Sequence, residues 1–253
     1  MNLKDIVGTE YSEITNKKTK NIQTVNEEHF LLTFFLEKCN SQTENTYHFD
    51  ENKYDFLKKA IQNTFIKSDV KNSTIGYIRD DILLFSLLLS KIERDINLNL
   101  SHAGLFLSAL INSHYKKTKD AKPYTIVTEN LQTKIDYLCF KNVGASVEIN
   151  GSTGSALGYE MSSGNILVKG NCENMAGNGI NGGNIRVEHA GMYLGCSMND
   201  GKIYAKSAKG GLGMDMNGGE IHISEKYDER IGAFGGKVYF RDEQIFPMKK
   251  KKK

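Results

Sequence analysis

In the stretch MAGNGINGGNIRV, Met175 to Val187, Gly177, Gly179 and Gly182 spell G-x-G-x-x-G, the spacing of a loop that cradles a dinucleotide pyrophosphate. That chemistry needs a strand before the string, a helix N-terminus behind it, and an acidic residue roughly 20 residues on. Here Gly182 runs through Gly183 directly into NIRV, an alternating strand pattern with no helix start, so no cofactor is expected at these glycines. Cys39, Cys139, Cys172 and Cys196 are scattered, without C-x-x-C or a histidine at ligand spacing. No metal site is expected from them, and free thiols suit a reducing compartment. His29, His48, His102 and His114 form no pairing that makes a site.

The remaining candidates fall into columns once the second half is written as a repeat. Three residues after a recurring glycine stand Glu148, Leu167, Arg186, Tyr204, His222 and Tyr239; two residues further stand Asn150, Lys169, Glu188, Lys206, Ser224 and Arg241. No pair of acids shares a repeat with a spare base, so two-carboxylate glycosidase chemistry is not expected and no catalytic residue is assigned. Lys169, Glu188 and Lys206 read as a cross-strand charge ladder. Arg186, Tyr204, His222 and Tyr239 read as an interaction face, because tyrosine and arginine are favoured at protein interfaces. A carbohydrate-binding face is a third, weaker reading of the same tyrosines.

The elements behind these columns follow from the glycines. Only Gly8, Gly76 and Gly104 precede residue 144; the other 21 of the 24 crowd into the last 110 residues. Strand-opening glycines stand at Gly164, Gly183, Gly201, Gly219 and Gly236, with Ala145 in the same slot one repeat earlier, at steps of 19, 19, 18, 18 and 17 residues. Six residues before the opener comes a second glycine, Gly158, Gly177, Gly195 or Gly213, and three residues after that Met161, Ile180, Met198 or Met216. Two and four residues after the opener come the apolar pairs Val147/Ile149, Ile166/Val168, Ile185/Val187, Ile203/Ala205, Ile221/Ile223 and Val238/Phe240.

One such unit has an apolar stripe and nothing to bury it against. Copies stacked about 4.8 Å apart bury it against themselves, which is a solenoid: a parallel β-helix of about five to six coils. The glycines are then corner residues needing φ > 0, with Asn181/Gly182, Asn199/Asp200 and Asn217/Gly218 as further corner pairs. Degenerate last repeats read as a cap.

The recurring L-G-x-x-M-x-G-G-x-I-x-V, seen as LGCSMNDGKIYA from Leu194 and LGMDMNGGEIHI from Leu212, resembles the GXGXG domain. That family includes the C-terminal β-helix of the glutamate synthase large subunit and the C subunit of formylmethanofuran dehydrogenase. The resemblance covers residues 138–241 or so. It implies a right-handed β-helix that holds catalytic domains or subunits together and has no catalytic residues of its own. With no room in 253 residues for an amidotransferase and a flavin barrel, any redox chemistry would come from partner subunits.

The first half, 1–137, reads as an α-helical domain. EEHFLLTFFLEKC from Glu27, NKYDFLKKAIQNTFIK from Asn52, IRDDILLFSLLLSKIERDI from Ile78 and SHAGLFLSALINSHYKK from Ser101 are its helices. In the second, Tyr54, Leu57, Ile61 and Phe65 recur at helical steps. Ser101 suits an N-cap, and the segment from Ile78, apolar on more than one face, reads as the central helix. YTIVTENLQTKIDYLCF bridges to the β-helix, 138–246.

Of the 33 Lys and Arg residues five form the run Lys249 to Lys253, leaving 28 against 30 acids, so the body is near neutral and no nucleic-acid partner is expected. The run reads as a solvated tail, 247–253. The longest apolar run, Ile82 to Leu89, has eight residues where a bilayer span takes about 20, and no signal-type segment is seen. The expectation is a cytoplasmic scaffold or assembly module whose partners are other protein subunits, with no membrane partner, no metal and no cofactor.

Overall fold

The structure is a computed structural model that describes residues 35, 51–61, 77–92, 100–228 and 230–247. Seven strands run parallel, each hydrogen-bonded to the next in chain order: β1 (Tyr124–Val127), β2 (Val143–Asn150), β3 (Ser163–Val168), β4 (Asn181–Ala190), β5 (Asp200–Ala208), β6 (Glu220–Tyr227) and β7 (Lys237–Phe240). Parallel neighbours joined in sequence order require a full circuit of chain between them, so the fold is a β-solenoid of about six turns. β8 (Glu243–Phe246) turns back antiparallel on β7 and ends the sheet.

Period-two alternation sets the core. Val147, Ile166, Ile185, Ile203, Ile221 and Val238 pair in one register across β2 to β7, and all are buried. Each contributes about 1.5–3 kcal/mol of apolar burial. Met161, Ile180, Met198 and Met216 are fully buried on the far side of the coil. The strand-opening glycines Gly164, Gly183, Gly201, Gly219 and Gly236 take φ between 71° and 101°, and Gly158, Gly177, Gly195 and Gly213 take φ between 59° and 68°, as the repeat requires.

Two kinds of corner assignment change, and the sheet starts earlier than expected. Gly144, at φ 133°, takes the left-handed slot of the first coil, and Ala145 is an inserted residue buried at a register shift in β2. The Asn corners do not turn by φ > 0: Asn181, Asn199 and Asn217 instead form an amide ladder, Asn199 Nδ2 donating to Asn181 Oδ1 at 3.1 Å and Asn217 Nδ2 to Asn199 Oδ1 at 3.4 Å. The segment read as a bridge supplies β1, so the sheet begins at Tyr124, ahead of residue 138. Tyr124 and Ile126 face inward opposite Val147 and Ile149.

The described helices are α1 (Glu51–Ile61), α2 (Tyr77–Ile92) and α3 (Leu100–Thr118), together with Phe35, a helical residue packed on Phe85 and Phe106. Tyr54 and Leu57 of α1 are buried while Lys59 is exposed, as the periodicity asks. Ile61 lies in α1 too; Phe65, Cys39, His29, His48, most of the helix from Glu27 and the lysine run lie outside the described residues. Ser101 sits inside α3, whose helical residues already include Leu100, and so is not its N-cap.

The central helix is α3 rather than α2, because α3 lies between α1 and the first coil and is buried without interruption from Ala103 to His114. Its polar side chains satisfy the open edge of that coil. Asn112 Nδ2 donates to the Phe140 and Lys141 carbonyls at 3.0 and 3.1 Å, Asn112 Oδ1 accepts from Val143 N–H, and Ser108 Oγ bonds the Tyr137 carbonyl and the Phe140 N–H, each at 3.0 Å. Gly104 permits the approach: a Cβ there would overlap the Asp136 carbonyl oxygen. On α2, Ser86 Oγ accepts from Val127 N–H of the edge strand β1 at 3.0 Å. Helices and coils share one hydrophobic core.

Candidate docking face

The outward side of the parallel sheet is where the sequence placed its chemistry, and backbone pairing brings that column together. Arg186 pairs with Tyr204, Tyr204 with His222, and His222 with Tyr239 across β4 to β7. At a strand spacing of about 4.8 Å, flat side chains in register can only lie face to face. The Tyr204 and His222 rings stack at 4.8 Å and 19°, the His222 and Tyr239 rings at 4.5 Å and 7°, and the Arg186 guanidinium lies 4.9 Å from the Tyr204 centroid. Tyr204 thus has Arg186 on one face and His222 on the other. His222 likewise lies between Tyr204 and Tyr239, so neither of these two rings presents a free face on which a sugar could stack.

Glu220, which the sequence reading did not single out, pins this stack. Its carboxylate is 3.2 Å from His222 Nε2, 3.1 Å from Lys202 Nζ and 3.8 Å from Lys237 Nζ. Hydrogen bonding from Lys202 and then from His222 holds its carboxyl below the usual value of 4.5, and the same contact raises Lys202. Lys202, Glu220 and Lys237 are direct partners on β5, β6 and β7. Writing out the residues one place after each glycine would have exposed this alternation of charge.

The expected ladder of Lys169, Glu188 and Lys206 is broken in the middle. Lys206 pairs with Glu188, but Lys169 reaches back to Glu148 on β2. Glu148 is a strand closer to the solenoid's start and gives Lys169 a carboxylate of its own, which leaves Glu188 to Lys206.

Next to Tyr204 the face dips into a concavity of about 540 Å³, whose lining includes Glu148, Asn165, Leu167, Asn184 and Arg186. Asn184 Nδ2 donates to Asn165 Oδ1 at 2.9 Å across the strands. Glu148 is the one carboxylate in this lining, and it is ion-paired to Lys169. The concavity offers amide and guanidinium donors without a second acid to work against the first.

The other candidates are placed apart from this face. Gly177 and Gly179 lie in the loop before β4, and Gly182 and Gly183 belong to the strand, so no helix N-terminus stands at the G-x-G-x-x-G string. Burial pushes the Cys139 and Cys172 thiols up to about 12, and Cys196 is half-buried and unbridged. His114 is buried against Tyr124, ring nitrogen Nδ1 to hydroxyl 2.5 Å. Among the described residues no three His, Cys, Asp or Glu side chains are grouped to hold a metal, and no helix is long and apolar enough to cross a membrane. Compared with family models, curated proteins and solved structures, the chain finds no match.

Proposed function

We propose that this chain is a non-catalytic scaffold of the cytoplasm, a right-handed β-helix of the GXGXG kind whose outward sheet face docks other protein subunits. The observation that carries the reading is the stack of Arg186, Tyr204, His222 and Tyr239. Its side chains are held by strand register and by one another, so little rotamer freedom is left to lose on binding, and tyrosine and arginine are the residues on which interfaces concentrate their energy. The paired lysines and glutamates around the stack supply a polar rim that exchanges partners at small cost.

The test is the native mass of the tagged chain in a gentle extract, compared with the same chain bearing Tyr204→Ala, His222→Ala and Tyr239→Ala. The scaffold reading expects the parent in an assembly and the triple variant, folded, at its own mass. A parent chain at its own mass in extract overturns it, as does a purified chain that turns over a substrate alone.

A second reading, favoured by the repeated L-G-x-x-M motif at Leu194 and Leu212, is a subunit of an oxidoreductase complex of the glutamate synthase or formylmethanofuran dehydrogenase type, with the chemistry on its partners. Flavin or iron-sulfur absorbance co-purifying with the tagged chain would support it, and a colourless assembly would count against it.

A further inference from the structure

The outward face has two halves. One cross-strand register reads Ser146, Asn165 and Asn184 on β2 to β4, then Lys202, Glu220 and Lys237 on β5 to β7. The side chains are short and neutral over the first three strands, long and ion-paired over the next three. The face is accordingly raised around the ring stack and sinks over β2 to β4 into the concavity of about 540 Å³.

Arg186 stands at the boundary between the halves and differs from every lysine around it. Lys169, Lys202, Lys206 and Lys237 each have a carboxylate. The partners of Arg186 across the sheet are Leu167 and Tyr204, neither of which can accept a charge-assisted bond. Glu148 in its own column and Glu188 in the next are held by Lys169 and Lys206. Among the described residues the guanidinium therefore has no acceptor; the Tyr204 ring, 4.9 Å away, holds it in place without satisfying its N–H groups. Beside it Asn184 and Asn165 bring amide groups to the same concavity, and Leu167, 38% exposed, and Pro123 give it an apolar wall.

Resting on the docking reading above, we propose that this concavity receives an acidic side chain of the partner subunit, a glutamate or aspartate with apolar neighbours, whose carboxylate meets Arg186. A guanidinium presents a planar fork of N–H donors that a carboxylate accepts through two parallel bonds, and a fork already held by Tyr204 has less freedom to lose. A phosphate is the poorer fit, because its charge is met by clustered cations and the nearest lysines are taken. A bare small anion would leave Leu167 and Pro123 uncovered, whereas a peptide covers them with its flanking side chains.

The experiment titrates the purified, isotope-labelled full chain with the capped pentapeptide Ala-Leu-Glu-Leu-Ala, with its glutamine-centred counterpart, and with acetate and inorganic phosphate. Nuclear magnetic resonance of the Asn165 and Asn184 side-chain amides reads the site. The glutamate peptide should shift these amides and bind at least about tenfold more tightly than the glutamine peptide, acetate or phosphate. That preference should fall with added salt and vanish in Arg186→Gln, whose remaining amide spectrum stays that of the folded parent because Arg186 is exposed. Glutamate and glutamine peptides that bind alike, amides that do not shift, or an Arg186→Gln chain that keeps the preference would each overturn the proposal. So would acetate or phosphate binding as tightly as the glutamate peptide, which would make the concavity a small-anion site. The two readings fail separately: an assembled parent without the peptide preference keeps the docking reading and loses the carboxylate, and a chain at its own mass in extract loses the docking reading whatever the titration shows.

Discussion

Gly195 and Gly179 have nearly the same backbone, φ 66° and 65°, and opposite tolerance for a side chain. A Cβ at Gly195 points into the core, 2.6 Å from Ile221 Cδ1, whereas one at Gly179 meets only Glu160 Cγ at 3.4 Å. The rest of Gly179's column, Lys141, Glu160, Ser197 and Asp215, holds φ between 49° and 56° with side chains in place. Gly195→Val should therefore combine left-handed strain with overpacking and cost at least about 2 kcal/mol, while Gly179→Asn should stay within about 0.5 kcal/mol. Equal midpoints in urea for the two variants would refute the distinction. Recurrence at fixed spacing made Gly195 legible, and Gly179 stood out as a glycine without counterparts; which side of the coil each faces was not legible. Glu220 is a second residue-scale case. Its folded carboxyl is lowered, so its contribution is present above pH ~4.5 and lost as pH falls through the folded value. Glu220→Gln should cost a fraction of a kcal/mol at neutral pH, and the gap to the parent should close in acid. A gap that persists in acid would mean the carboxylate is not what Lys202 and His222 need.

At the scale of elements, the strands and the existence of a cap at each end could be anticipated, and the residues that make the caps could not. An alternating G-x-I-x-V with a copy every 17 to 19 residues specifies both the strand and its partner, because each copy needs the next to bury its stripe. β1 has no glycine opener, and α3 looks like any amphipathic helix until Asn112 is seen among the carbonyls of the first coil. The apolar run Ile82 to Leu89 marked α2 as central, yet three consecutive leucines can be shared between a helix face and its flanks. α3 is buried over more of its length because it has the coil on one side and α1 on the other. Asn112 serves four groups, the Tyr54 hydroxyl, two carbonyls and the Val143 N–H, with the Tyr54 bond at 2.8 Å. Asn112→Ala would leave buried backbone groups unpaired and should cost about 2–3 kcal/mol. Chemical denaturation measures it, and a loss under about 0.5 kcal/mol would show that the helix does not seal the coil through this side chain.

For the molecule as a whole, stability should be graded along the solenoid axis. Each coil contacts only its neighbours, so the resistance of a coil to opening depends on how many coils or caps lie on either side of it. One end is sealed by α3, with Phe140, Leu138 and Ile135 fully buried beneath it. The other is closed by a hairpin in which Phe240, Ile245 and Phe246 are half open to solvent, with Phe234 just before it more exposed still. The repeat made the stack itself legible, since its period and inward columns are local in sequence. The inequality of its ends is not local: it depends on which segment folds over which opening. Amide hydrogen exchange should accordingly be slowest in β2 to β4, faster in β6, and fastest in β7 and β8, with α3 protected alongside β2. Uniform exchange along the axis would mean that the single core opens only as a unit. Faster exchange in β2 than in β7 would mean that α3 releases before the hairpin does, and that the helical cap rather than the hairpin is the mobile end.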